Sequence, residues 1–187
     1  MNESSASVDP RRFRDTIGMF ATGVAVIVAR AADEVLAMTV NAVSSLSLDP
    51  TLVLFCPGKS TRLSQHLEGL AGFTINFLRD EQQSLSTYFA GGWKQSSPPP
   101  FRFVPSRCAL RLEGSLATLD CDTDRVVEAG DHWVVIGRVR ELHVGIEPHR
   151  PLLFFRGRYR HLDADSAPAP DLLDVHDEPP QIFYDHH

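Results

Sequence analysis

The sequence is short of positive charge. Eighteen Lys and Arg stand against 24 Asp and Glu, for a formal net charge of −6. That argues against nucleic acid or an anionic membrane surface as the main partner. It leaves room for a small anionic ligand, which needs only a local basic pocket. Cysteine is scarce as well. Cys56, Cys108 and Cys121 form an odd set without metal-ligand spacing. No disulfide framework and no metal site is therefore expected, and reduced thiols point to a cytoplasmic protein. Long apolar runs are missing: nothing approaches the roughly 20 residues of a membrane-spanning helix. The polar start MNESSASVDP lacks the apolar centre of an export signal. No G-x-S-x-G elbow is present for serine chemistry. No evenly spaced βαβ units are present either, so a Rossmann sheet is not expected.

What remains is an ordinary globular balance. Hydrophobic residues make up 43% and charged residues 22% of 187, enough for one domain with its own core and room for an appendage. Asp9-Pro10 is a helix start, and Phe13, Ile17 and Phe20 recur at helical spacing, so a helix is expected from Pro10 to Phe20. Val24 to Val28 is a β-branched run of the kind found in strands buried on both faces. Further strands read through VLAMTVNAV and TLVLFC, with SLSLDP as the turn between them. Ser60 is placed to cap a short helix through TRLSQHLEGL, and GFTINFL is a fourth strand. Asp80 with Gln83 resembles a capping box for EQQSLSTYFA. GGWKQSSPPP is a loop. From Cys108 the chain is β-rich again, with a bend or bulge at Gly114, then HWVVIGRVRELHV and a terminal strand PLLFFRGRYRH. Many short strands with few short helices predict a barrel or sandwich. After Leu162 the composition changes. Residues 163–187 hold seven acidic residues, four prolines and no Lys or Arg, and that composition alone favours disorder. Ile182, Phe183 and Tyr184 give this tail apolar points by which to dock.

Five blocks share one order and spacing: TGVAVIVA, MTVNAVSSLSLDPTLVLFC, FTINFL, GDHWVVIGRV and PLLFFRGRYR. Together they resemble the flavin reductase-like family of FMN-binding split barrels, across about residues 10 to 161. The resemblance implies a mainly β fold, a Greek-key-like split β-barrel, lying between a polar segment at 1–9 and the acidic tail at 162–187. It implies an NAD(P)H-dependent flavin reductase: hydride passes from NADH or NADPH to FMN or FAD. It also implies a homodimer, and commonly a partner, a flavin-dependent monooxygenase supplied with reduced flavin. Two other readings stay open. One is an oxidoreductase that holds FMN tightly and serves a different acceptor. The other is a flavin-binding or sensor domain without catalysis.

The motifs carry the chemistry to different degrees. In MTVNA, Thr39 and Asn41 offer polar side chains, and the backbone of Val40 and Ala42 offers N–H and C=O groups to a ring edge. The resemblance lays this strand along the isoalloxazine, with residues 54 to 61, Phe55 and Cys56 among them, as the other wall. PGKST is not a triphosphate loop, because the glycine that pattern needs is Val53. It still offers one phosphate the Lys59 charge, the Ser60 and Thr61 hydroxyls and the N–H groups of a helix start. In GDHW, the resemblance sets His132 where the nicotinamide docks. Hydride transfer asks for stacking at roughly 3–3.5 Å rather than for an acid, so His132 reads as a positioning group. A lone histidine at a strand start is otherwise a solvated one. In FFRGRYR, Arg156 suits a dinucleotide phosphate and Tyr159 suits a ring cover. Arg158 shares the phosphate reading, whereas Arg160 and His161 read as surface. Phe89 fits packing over the site from the partner subunit, but an aromatic in a helix is more often core.

Overall fold

The structure, a computed structural model, describes residues 8–32, 34–145 and 149–163. The docking expected of the tail falls on residues 164–187, outside the described residues. Helix α1 (Pro10–Ile17) starts as expected, with the Asp9 carboxylate accepting from the Arg11 N–H at 3.1 Å. It ends before Phe20: the Met19 and Phe20 N–H groups reach back only three residues, to the Thr16 and Ile17 carbonyls, both at 3.0 Å. No side chain of this helix is buried. There follow β1 (Thr22–Gly23), β2 (Ala25–Ala31), β3 (Glu34–Val40), β4 (Val43–Leu48) and β5 (Thr51–Phe55). The segment expected as a turn, SLSLDP, is strand up to Leu48 and pairs with β5; only Asp49 and Pro50 turn. Its Ser/Leu alternation is a strand pattern, and the turn chemistry is confined to Asp-Pro.

Next come a short 3-10 turn (Leu63–His66), β6 (Gly72–Phe77), and a second 3-10 turn (Asp80–Gln82) leading into α2 (Gln83–Phe89). Two expected caps are corrected. Ser60 caps nothing: the first turn opens at Arg62 with no side-chain cap. The box at the second turn lies one residue earlier, with the Arg79 N–H donating to Gln82 Oε1 at 2.9 Å. The rest is β7 (Phe103–Pro105), β8 (Leu110–Leu112), β9 (Ala117–Ala129), β10 (His132–Val144), β11 (Leu153–Phe155) and β12 (Arg158–Arg160). PLLFFRGRYRH is thus a hairpin and not one strand. It turns at Arg156 and Gly157, whose φ values are +50° and +72°.

Seven strands form one antiparallel sheet in the order β3-β2-β6-β9-β10-β5-β4. Its two edges, β3 and β4, are joined by Asn41 and Ala42 alone. Edges that lie two residues apart in sequence cannot lie a sheet-width apart in space. The sheet therefore curls on itself and leaves a split between β3 and β4, the expected split barrel. Alternation along β2 explains its double burial. Ala25, Ile27 and Ala29 face the interior with Phe55, Phe73, Ile75 and Val135. Val24, Val26 and Val28 face outward onto Leu78, Leu85, Leu112 and Leu152, under α2, β8 and the last hairpin. Buried Asn76 ties the layers. Its amide donates to the Val26 carbonyl at 2.9 Å, and its oxygen accepts from the Leu112 N–H at 2.8 Å.

Candidate active site

The β9–β10 hairpin and the PGKST loop meet at one corner of the barrel. The tight turn at Gly130 and Asp131 puts His132 opposite Ala129 and Trp133 opposite Glu128. The loop docks on this hairpin through its backbone. The Lys59 N–H donates to the Asp131 carbonyl and the Trp133 N–H donates to the Pro57 carbonyl, both at 2.9 Å. Gly58 lies against the imidazole, where a Cβ would sit 3.7 Å from His132 Nε2. Two motifs more than 70 residues apart in sequence are thereby adjacent. The loop then folds on itself: Ser64 Oγ donates to the Gly58 carbonyl at 2.8 Å and lies 2.9 Å from Thr61 Oγ1.

Three side chains set the charge of this corner. The Lys59 ammonium pairs with the Glu128 carboxylate and lies 5.4 Å from the centre of the Trp133 ring. That hydrogen bond holds the Glu128 carboxyl below its ordinary pKa. His132 Nδ1 lies 2.8 Å from Asp131 Oδ1, which fixes the ring's orientation and leaves Nε2 turned to Gly58. The same contact, ahead of the nearby Lys59 charge, lowers the Asp131 pKa. Glu128 and Trp133, which the sequence alone did not single out, line this corner beside Lys59. The hairpin register gives them away, once the turn is fixed at Gly130-Asp131.

The split edge adjoins this corner. The Cys56 N–H donates to the Ala42 carbonyl at 3.1 Å, so the end of MTVNA lies against the start of the loop. Phe55 and Val40 are buried in the core, so those two positions have only backbone to offer a ligand. Cys56 is half-buried and its thiol pKa is raised by burial. Thr39 and Asn41 part company. The Thr39 hydroxyl donates to the Ser86 carbonyl at 2.7 Å and lines a hollow of about 710 Å³ with Thr61, Arg62, Tyr88, Phe89 and Phe101. Asn41 Nδ2 is 3.4 Å from Thr22 Oγ1 and lines a second, apolar hollow of about 480 Å³. Tyr159 lies 2.8 Å from Ser86 Oγ and packs in the outer core with Phe89. Its hydroxyl thus serves the fold, and the link from Thr39 through Ser86 to Tyr159 was not legible in sequence.

Arg156 is not brought to the Lys59 corner. It sits at the exposed tip of the last hairpin, its N–H donating to the Gly18 carbonyl at 2.9 Å and its guanidinium against Met19 Sδ. Ser60 is exposed beside Lys59, and Thr61 connects the loop to the larger hollow. Elsewhere Asp120, Glu141 and His143 bring three potential metal ligands together. The buried Asp120 carboxylate, however, already accepts from the Arg107 and Cys108 N–H groups at 2.7 and 2.9 Å, and from the Ser106 hydroxyl. That is how a carboxylate stitches down a loop.

The donors left at the corner, the Lys59 ammonium and the exposed Ser60 hydroxyl, suit a phosphate monoester, whereas the Lys59 and Thr61 N–H groups are spent on the Asp131 and Gly58 carbonyls. Beside it stands an oriented imidazole. A split barrel of this kind is the architecture of the flavin reductase class of oxidoreductases. The chain belongs to the flavin reductase like domain family, whose profile matches residues 17–163. It is 38% identical over 173 residues to the reductase subunit HsaB of a flavin-dependent monooxygenase from Rhodococcus jostii, covering 89% of this chain and 86% of that one. It is 37% identical to the reductase component of 4-hydroxyphenylacetate 3-monooxygenase from Thermus thermophilus, covering 80% and 95%. Among solved structures, flavin reductase PheA2 superposes with a TM-score of 0.77 at 35% identity, covering 83% of this chain and 99% of that one. The NADH:FAD oxidoreductase SgcE6 of Streptomyces globisporus, in complex with NAD and FAD fragments, superposes at 0.75 with 31% identity, covering 87% and 99%.

Proposed function

We propose that the chain is an NAD(P)H:flavin oxidoreductase whose flavin phosphate is taken up at Lys59, Ser60 and Thr61, and whose nicotinamide is positioned by His132. The observation that carries this reading is the contact between Gly58 and His132, which puts a phosphate-binding loop and an oriented imidazole side by side. A bound flavin supplies the hydride acceptor and the reduced nicotinamide the donor. The protein's own work is positional. Lys59 and the two hydroxyls hold the phosphate. Thr39 to Ala42 and the backbone of Phe55 and Cys56 wall the ring. His132, held by Asp131, offers Nε2 to the nucleotide.

Phe89 and the larger aromatic hollow adjoin the loop at Thr61, whereas Arg156 and Tyr159 enter this reading only through a second subunit or a change at the hairpin tip. The exposed apolar side chains of α1 and β4 support a homodimer. The relatives' names support a flavin-dependent monooxygenase as the consumer of reduced flavin. No helix among the described residues is long and apolar enough to cross a membrane, and the three free thiols favour the cytoplasm. Residues 10–161 form the functional domain, with 1–9 and 162–187 as its flanks. The decisive assay follows NADH and NADPH oxidation with added FMN, FAD or riboflavin. Flavin-dependent oxidation with at least one nucleotide is expected. Flavin binding without any oxidation would instead mark a sensor domain.

A further inference from the structure

Lys59 is the cation expected to meet the flavin phosphate, yet in this fold it already has an anion. Glu128, directly across the hairpin from Trp133, pairs with the Lys59 ammonium, which also lies 5.4 Å from the Trp133 ring centre. The pair is unequal in burial: the lysine side chain is 33% exposed and the glutamate 66%. The ammonium is therefore the more sheltered partner, beside the Trp133 ring, while the carboxylate can swing into water. A phosphate arriving at Lys59 meets a preset cation. It must also displace, or share the cation with, a like-charged carboxylate, and Asp131 stands close enough to feel the same lysine.

We propose that Glu128 is a specificity-determining residue that competes with the flavin phosphate for Lys59. It weakens the binding of phosphate-bearing flavins selectively and keeps them exchangeable. For a reductase that hands its product on, such an internal competitor shortens the stay of reduced flavin without touching the ring's site. This rests on the reading of Lys59 as a phosphate ligand, so the experiment tests the two apart.

Flavin binding is titrated by fluorescence for FMN and riboflavin, without nucleotide, in wild type, Glu128→Gln, Lys59→Ala and the double variant. Glu128→Gln is expected to tighten FMN about two- to fivefold, the span open to an exposed ion pair, and to shift riboflavin less than twofold. The FMN release rate should fall in step. The gain should shrink as salt is raised and vanish in the Lys59→Ala background. If Lys59→Ala weakens FMN alone but Glu128→Gln leaves FMN unchanged or weaker, the competition is overturned while the phosphate reading stands. If Lys59→Ala weakens both flavins equally or neither, the phosphate reading fails and the proposal fails with it.

Discussion

At the scale of single residues, the site is set by who holds whom. His132 is exposed, and a free imidazole there would wander between rotamers. Its contact with Asp131 at 2.8 Å fixes one nitrogen and frees the other. Asp131 is a fitting anchor because its pKa is lowered in the folded chain. A depressed folded pKa means that the Asp131 carboxylate is ionised above the ordinary Asp range and is protonated only as pH falls through the lower folded value. From pH 6 to 8 Asp131 therefore stays ionised, and any change of nucleotide KM across that range comes from other groups. Replacing His132 by Ala should raise the nicotinamide KM about ten- to a hundredfold, the worth of one hydrogen bond to a charged group at about 1.5–3 kcal/mol. Flavin affinity should move less than twofold. Stopped-flow reduction with a parallel flavin titration separates these effects. An unchanged nucleotide KM and reduction rate would mark His132 as an ordinary solvated histidine at a strand start. The thiols behave in the opposite sense. Burial, ahead of the neighbouring Asp120 and Asp122, pushes Cys121 up to about 12, so a thiol reagent should leave it unmodified in the native protein.

At the scale of elements, most strands were legible and most joints were not. The block HWVVIGRVRELHV is a strand from its first residue to its last, and Val24 to Val28 is buried on both faces as its β-branched run requires. The misses lie where a local signal was weaker than a long-range pairing. Ser45 to Leu48, within SLSLDP, reads as polar turn, yet β5 is there to pair with it. Arg156 carries a positive φ although it is not glycine, a turn no propensity would place there. Ser60 looked like a cap because Ser-Thr precedes a periodic stretch, but the loop is instead closed onto the hairpin by the Lys59 and Trp133 amides. Such bonds join distant segments and leave no periodic trace. Gly137 is the sharpest case of an element governed by its neighbour. It sits at a register shift of β10, and a Cβ there would lie 2.4 Å from the Phe73 ring and 2.9 Å from Cys121 Cβ. Gly137→Ala should destabilise the protein by about 1–3 kcal/mol through overpacking. The melting temperature should fall by about 2–4 °C for each kcal/mol. An unaltered melt would mean that Phe73 yields freely and that the core is looser there than its burial implies.

At the scale of the whole molecule, the chain is acidic overall while one of its faces is strongly apolar. Phe13, Ile17 and Phe20 project from and just beyond α1, with Phe20 72% exposed, and no residue of that helix is buried. On the other side of the same hollow, Leu48 and Leu142 are 57% and 63% exposed. A helix with an apolar stripe and nothing beneath it is costly in water, and a contiguous exposed apolar patch of this kind marks an interface. The sequence announced the stripe through Phe13, Ile17 and Phe20 but could not say what would cover it, since periodicity reports a face and not its occupant. A second copy of the chain is the occupant expected here. It would also give Asn41, which lines the apolar hollow, the other subunit to face. Light scattering should return twice the 20.8 kDa of one chain at micromolar concentration. Phe20→Asp combined with Leu142→Asp should shift the protein toward one chain, since each copy would bring two more negative charges to a face that already belongs to an acidic molecule. Flavin reduction should fall with the loss of dimer if the second subunit helps to wall the site. Should the wild type scatter as a single chain, the apolar face must be covered by something else. Residues 164–187, with Ile182 to Tyr184, would be tested next by truncation.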